Sequence, residues 1–375
     1  MRIAVLGVGL IGGSIGLAAR RRANAEVCGY DPDERVLANA LELGAIDTAA
    51  TDVAGAVRDA DVVFVAAPVG ALEETVRLAL EDAGPDCVVS DVGSTKRVVA
   101  AAAVDERFIG GHPLAGAETA GVEHAREDLF DGAVWYLTPA MGSTAGVLYE
   151  RLHRLLTTIG AQPTAIDADT HDRLMAAVSQ LPHVLANLLA AQATSALSGE
   201  QLVGERRRPG RGPVEIGQHG RLPAVGPSFR DATRVAGANS AIWTDIYMSN
   251  RDALIAEIDD FSGRLAGVRA TLAAADPQAV TAWNERARGD REQLLGAGLA
   301  GGPVSELRAS VPNRPGVIAE IALALGGAGV NILDMALSPS EDNRQGVVAL
   351  WIGGEQHAAR AEQLIAGLGF PVARA

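Results

Sequence analysis

The sequence predicts an α/β protein in three parts: a doubly wound parallel sheet, then a run of helices, then a small βαββαβ sandwich. Three observations carry this. Short β-branched runs alternate with helix-period stretches up to about residue 168. From Asp169 the strand signals vanish and long Ala/Leu-rich periodic segments take over. After the small-residue stretch 294–303 a strand–helix–strand–strand–helix–strand rhythm begins. At 375 residues the chain is too long for one ordinary core, and the expected divisions are 1–168, 169–293, a linker at 294–303, and 304–375.

In the first part, residues 2–6, 26–30, 62–66, 87–91 and 134–137 read as buried strands. The first four are near-continuous apolar runs, as a parallel sheet covered on both faces requires. Residues 11–23 and 69–80 carry the helical period between them, which gives the βαβ rhythm of a doubly wound fold. In the second part, segments 174–197, 228–236, 242–272 and 277–293 predict helices. Their apolar content exceeds what one small bundle needs and suits a dimer interface. Residues 199–227 interrupt them with Gly, Pro and Arg206, Arg207, Arg208 and Arg211, a pattern of a flexible insertion or a lid. In the third part, strand 306–311, turn 312–316, helix 317–327, strands 331–338 and 346–352, helix 355–368 and a short last strand make a ferredoxin-like sandwich.

Composition narrows the function. Hydrophobic residues at 48% and charged residues at 21% give a globular balance, and with aromatics at 4% the core must be mainly aliphatic. Lys and Arg number 32 against 46 Asp and Glu, a net charge of -14 that opposes general attraction to nucleic acid or an anionic membrane. An anionic small substrate would need a local cluster of Arg, Lys or His. Cys28 and Cys87 lie in strand-like runs and read as buried small hydrophobes, with no disulfide framework and no metal-ligand spacing. The N-terminus superficially resembles a signal peptide, but its glycines and its lack of a small-residue cleavage site oppose that. No run of 18 uninterrupted apolar residues occurs, so no membrane span is expected and the cytoplasm is the expected location.

Chemistry enters at Gly7-Val8-Gly9-Leu10-Ile11-Gly12, which follows one strand and opens a helix. Gly7 permits the tight turn, Gly9 lets backbone approach a pyrophosphate, and Gly12 allows close helix–strand packing in this Rossmann-type fingerprint. Free N–H groups at the helix start favour the phosphates. Asp31, ending the next strand, would accept from both ribose hydroxyls and so favours NAD over NADP, with Arg35 one turn on softening that preference. Pro68 joins Leu10 and Ile11 as a cofactor-binding candidate. A second constellation, Asp91-Val92-Gly93-Ser94-Thr95-Lys96 and then Gly111-His112-Pro113-Leu114-Ala115-Gly116, is placed after predicted strand ends, where α/β sheets bind ligands. A hydroxyl, a lysine and an imidazole are thereby expected to converge near the nicotinamide.

DVGSTK, GGHPLAG, THDRLMAAVSQLPH and SFRDATRVAGANSAIW, in this order after the glycine loop, resemble the prephenate dehydrogenase family over residues 1 to about 295. The resemblance implies a dinucleotide-binding domain, a helical domain through which two subunits pair, and conversion of prephenate and NAD to 4-hydroxyphenylpyruvate, carbon dioxide and NADH. It implies His112 as the catalytic base on the C4 hydroxyl and Ser94 as the serine that binds this hydroxyl and orients the imidazole. It places His183 on the pyruvyl side chain, Arg234 on a carboxylate and Trp243 in the pocket wall. Lys96 and Arg230 are further substrate-binding candidates, Arg230 as a second grip on the helix face of Arg234. His171 reads as a helix-start residue or an active-site group, and Asp245 and Asn250 as surface or interhelix contacts.

Ala117 departs from a hydroxyl residue carried by some members, and the 199–227 insertion puts substrate specificity in doubt. Val311-Pro312-Asn313-Arg314-Pro315-Gly316-Val317 and Gly329-Val330-Asn331-Ile332 resemble an ACT domain, the amino-acid-sensing module. That implies feedback by an aromatic amino acid through Asn313, Gly316 and Asn331. Arogenate is the alternative substrate. A β-hydroxyacid dehydrogenase would need a lysine in the helical part, and 169–293 contains none. A non-catalytic NADH and amino-acid sensor would have no use for His112, Ser94, His183 and Arg234 together.

Overall fold

The computed structural model describes residues 1–116, 119–139, 146–198, 225–297, 304–314, 317, 320–321, 324–325, 328, 330, 332–340 and 344–375. They form two compact units, Met1–Ser262 and Gly263–Ala375.

The first unit begins with β1 (Arg2–Leu6), β2 (Glu26–Tyr30), β3 (Thr48–Ala49), β4 (Val62–Val65) and β5 (Val88–Asp91), all parallel, in the order β3-β2-β1-β4-β5. Helices α1 (Leu10–Ala23), α2 (Glu34–Glu42), α3 (Val53–Val57), α4 (Val69–Asp82), α5 (Arg97–Ala102) and α6 (Gly146–Thr158) belong to this part. The pleat of β1 explains its unbroken apolar run. Ile3 and Val5 enter one buried cluster with Ile15 of α1, while Ala4 and Leu6 enter another with Leu72 and Val76 of α4.

A second sheet follows, of β6 (Ile109–Pro113), β7 (Val134–Pro139) and β8 (Gln162–Ala165), with β6 antiparallel and β8 parallel to β7. A parallel bridge between Val89 and Phe108 sets the start of β6 beside β5. His112 therefore lies on a strand, not after a strand end as expected. The glycines of Ile109-Gly110-Gly111-His112 hide this strand from a propensity reading.

Next come α7 (Ala168–Met175), a π-helical turn (Ala176–Gln180), α8 (Leu181–Ser198), α9 (Pro227–Ala232), α10 (Ser240–Ser249) and α11 (Arg251–Ala273). The single helix expected over 242–272 is two helices, because Asn250 caps α10 and spends its side chain on other elements. Ala168–Ser195 is long and apolar enough to cross a membrane. Its Asp172 is buried and accepts hydrogen bonds from the backbone of Lys96 and Arg97, while Val178, Leu188 and Leu189 further along are exposed.

The second unit includes α12 (Pro277–Ala297), β9 (Val304–Pro312), β10 (Ile332–Pro339), β11 (Gln345–Gly353), α13 (Glu355–Gly367) and β12 (Val372–Arg374). The strands form an antiparallel sheet in the order β10-β11-β9-β12. Leu307, Ala309 and Val311 of β9 alternate inward with Val348, Leu350 and Ile352 of β11, and Ala358, Ala361 and Ile365 of α13 cover them. α12 runs to Ala297, into the stretch expected to be linker. Ala117, residues 199–224 of the insertion, Gly316 and Asn331 lie outside the described residues. Asn313 is exposed, and its N–H donates to Arg344 O at 3.0 Å.

Candidate active site

The glycine loop has the shape a pyrophosphate needs. Gly7 takes φ +91, and a Cβ there would meet Ala66 O at 2.6 Å. A Cβ on Gly12 would meet Gly7 O at 2.0 Å, so only glycine lets α1 lie this close to the loop. Around Gly9 there is open space within 4 Å. α1 has no side-chain cap and no acidic residue in its first turn, which leaves its N–H groups for an anion. Asp31 follows β2; its carboxylate accepts from Val8 N and Asp33 N, both at 3.0 Å, and so fixes the loop. Leu10 and Ile11 begin α1, and Pro68 caps α4. Arg35 is paired with Asp33 at 2.8 Å, a bond that holds it on the solvent side of α2.

A buried polar chain lies behind β6. His112 Nδ1 is 2.9 Å from His171 Nε2, and His171 Nδ1 is 2.8 Å from Asp172 Oδ1. His171 and Asp172 are fully buried and His112 is 9% exposed. Burial works to raise Asp172, but the hydrogen bonds from His171 and from the Arg97 and Lys96 amides outweigh it and hold the carboxyl below its ordinary value. An ionised carboxylate only accepts, so His171 donates through Nδ1 and accepts through Nε2, and His112 donates through Nδ1. His112 Nε2 is left as the unprotonated nitrogen. Burial, then the neighbouring His171 and Lys96, push His112 well below the usual imidazole range, which keeps it neutral.

The Asp172 carboxylate also accepts from Lys96 N at 2.7 Å and Arg97 N at 2.9 Å, and its carbonyl accepts from Asn250 Nδ2 at 2.7 Å. Asn250 Oδ1 in turn accepts from Arg97 Nη2 at 2.8 Å. One network thus joins α5, α7 and the α10–α11 junction.

On α8, His183 Nδ1 donates to Ser179 O at 3.0 Å and the ring stacks on Trp243, centroids 3.5 Å apart. Burial, and after it the nearby Arg234 charge, lower His183, with the Ser179 bond opposing. Gly237 N donates to Asn187 Oδ1 at 3.2 Å, which ties the turn carrying Arg234 to α8.

These features match known proteins along the whole chain. The family model for the prephenate dehydrogenase nucleotide-binding domain matches residues 15–164, that for the prephenate dehydrogenase dimerization domain 218–284, and that for the ACT domain 305–364. Cyclohexadienyl dehydrogenase of Zymomonas mobilis is 31% identical over 281 residues, 73% of this chain and 89% of its own. The chain belongs to the prephenate dehydrogenase family. Prephenate dehydrogenase of Bacillus subtilis is 29% identical over 374 residues, 97% of this chain and 95% of its own. The Aquifex aeolicus prephenate dehydrogenase solved with hydroxyphenyl propionate and NAD+ superposes with a TM-score of 0.67 at 25% identity, covering 78% of this chain and 98% of its own.

Within this family member the structure brings His112 together with His171, and His183 with Trp243. It corrects two expectations. Lys96 does not face a substrate: its side chain is 1% exposed and ion-paired with Asp91, because a buried ammonium needs a counter-charge. Ser94 is half-buried in the turn after β5, and the hydrogen bond that the imidazole of His112 makes is to His171. Arg230 and Arg234 do not share a helix face, since α9 ends at Ala232 and Arg234 lies in the turn beyond. His171, Asp172, Tyr136 and Tyr247 are what sequence reasoning missed or left open. Tyr136 sits opposite His112 in the β6–β7 register with its ring edge-on to His171, and Tyr247 packs 5.4 Å from Trp243. The local signal for the first pair was a His–Asp doublet on a helix rich in apolar residues.

Proposed function

We propose that the chain catalyses NAD-dependent oxidative decarboxylation of prephenate to 4-hydroxyphenylpyruvate, with His112 as the base. The observation that carries this reading is the His112–His171–Asp172 chain, which fixes the tautomer of one buried imidazole in the same unit as a dinucleotide loop. NAD, when bound at the glycine loop, supplies the acceptor for the hydride lost from C4. Gly7, Gly9, Leu10, Ile11, Gly12, Asp31 and Pro68 would hold it.

His112 Nε2 takes the proton of the C4 hydroxyl as the carbon becomes a ketone. Nδ1–H continues to donate to His171, and Asp172 stabilises the positive charge that then resides on the imidazoles. The ring carboxylate leaves as carbon dioxide. Its bonding pair enters the ring, which becomes aromatic, and the phenolate oxygen recovers the proton from His112. Ser94 is the candidate to bind the hydroxyl. Arg234 and Arg230 would grip carboxylates, where a planar guanidinium suits bidentate pairing, while His183 and Trp243 line the side-chain end.

The functional divisions in this reading are 1–168 for the cofactor, 169–293 for substrate and pairing of two subunits, and 304–375 for an amino-acid effector bound near Asn313. The match to a dimerization domain over 218–284, with Leu265, Leu272 and Trp283 exposed within it, supports a homodimer. The relatives named prephenate dehydrogenase support a biosynthetic role, for which the cytoplasm is the expected location.

The test is NADH formation by purified protein with NAD and prephenate or arogenate, with and without tyrosine. Formation with prephenate, abolished in His112→Asn, is expected. Turnover of arogenate alone would replace the substrate, and no NADH from either would overturn the reading.

A further inference from the structure

Asp91 ends β5, fully buried, and its two oxygens are used in different directions. Oδ1 accepts from Gly111 N at 3.1 Å, the amide just before His112. Oδ2 accepts from Gly93 N at 2.9 Å, the amide just before Ser94, and also from Lys96 Nζ. The backbone N–H of Lys96 donates at 2.7 Å to Asp172, the carboxylate at the far end of the imidazole chain. Residue 96 therefore serves both buried carboxylates, one with its side chain and one with its backbone. β6 crosses this pair closely enough that a Cβ on Gly111 would meet Asp91 O at 2.5 Å. A Cβ on Gly110 would meet Thr138 Oγ1 at 2.3 Å and Lys96 Cδ at 3.2 Å, so the Gly-Gly before His112 makes room for the β5 backbone and for Thr138 of β7 beside the ion pair.

We infer that Asp91 and Lys96 are a positioning pair for the reaction, one buried carboxylate setting the backbone ahead of both His112 and Ser94 while Lys96 supplies the counter-charge it needs in a site closed to water. The inference rests on the proposed roles of His112 and Ser94. An amide at 91 has one acceptor where the carboxylate has two, so it cannot hold both peptides. The charges around His112 are Lys96 before α5, Asp91 on β5, and His171 with Asp172 on α7; Tyr136 on β7 is the remaining titratable neighbour. Taking away the ammonium leaves the imidazole with less positive charge beside it, which favours its protonation.

The experiment compares wild type, K96M and the charge-balanced D91N/K96M. It measures kcat and KM with NAD and prephenate, thermal midpoints, and the His112 titration by NMR of 13C-labelled histidine, assigned with H112N. D91N/K96M should lose at least tenfold in kcat with the KM for NAD within twofold. The His112 midpoint should rise by about one pH unit in K96M, and D91N/K96M should lie between it and wild type. Variants that melt lower but keep kcat within twofold and an unmoved His112 midpoint would reduce the pair to a fold element and overturn the inference. If K96M alone does not fold, the double variant, which buries no unpaired charge, decides the matter. If wild type turns over neither prephenate nor arogenate, the functional reading fails, and the NMR titration still decides whether the pair governs His112.

Discussion

His112, His171 and Asp172 sit in a dry interior where each donor meets an acceptor, whereas Arg230 and Arg234 stand exposed on a short helix and the turn behind it. The two regions face different physical demands. A base must hold one nitrogen free of its proton, which needs a fixed tautomer, and only a chain ending in an ionised acceptor fixes it. A carboxylate grip needs charge and reach, and a guanidinium keeps its charge in any surroundings. Burying it before a substrate arrives would cost desolvation. In the proposed roles, rate would reside in the rigid region and affinity in the open one.

The largest expected effect breaks the rigid half. Asp172→Asn lets an amide N–H face His171 and reverses the chain, so that His112 presents a protonated nitrogen. We expect kcat to fall by about 10^2- to 10^4-fold, the scale of a wrong-tautomer defect in a serine-protease triad, with NAD affinity unchanged by equilibrium titration. In the open half, Arg234→Ala should raise KM for prephenate about 10- to 100-fold, the worth of a charged hydrogen bond, while kcat changes little. A matching drop in kcat would erase the division between the regions.

The pH profile sharpens the same contrast. The His112 value is depressed, so the neutral base persists below the ordinary imidazole value of 6.5, and kcat/KM should hold level down to that pH before it declines. The sign for stability agrees. The neutral form is favoured in the fold, so its contribution is present above the unfolded value and is lost as pH falls through it towards the depressed folded value. Thermal midpoints should drop in that window, less so in His112→Asn. The smallest effect is expected at the stacked pair: Trp243→Ala should raise KM about 2- to 10-fold, the scale of one aromatic contact.

How much of this was legible follows from how local each signal is. The shape of the glycine loop and the four core strands read directly, because each depends on a few neighbouring residues. β6 did not, since its two glycines are poor strand formers and the reason for them is the close approach of Thr138 and the β5 backbone. His171 read as a helix start because its partner His112 is 59 residues away in the chain. Lys96 read as a ligand because a lysine near a cofactor usually invites that; its true partner, Asp91, stands only five residues back. The break at Asn250 has no Gly or Pro to announce it, and the hydrogen bonds that make it come from Asp172, Gln180 and Arg97.

The π turn at Ala176–Gln180 lies between His171 and His183 on one helical path. Such a turn absorbs one residue beyond the regular ladder. Losing a residue within ordinary α-helix would rotate all that follows by about 100° and pull His183 off Trp243. Losing the exposed Val178 lets the wide turn relax to regular helix with both histidines still in place. This is the point on the path where the gene can lose a codon with His171 and His183 both kept on their faces.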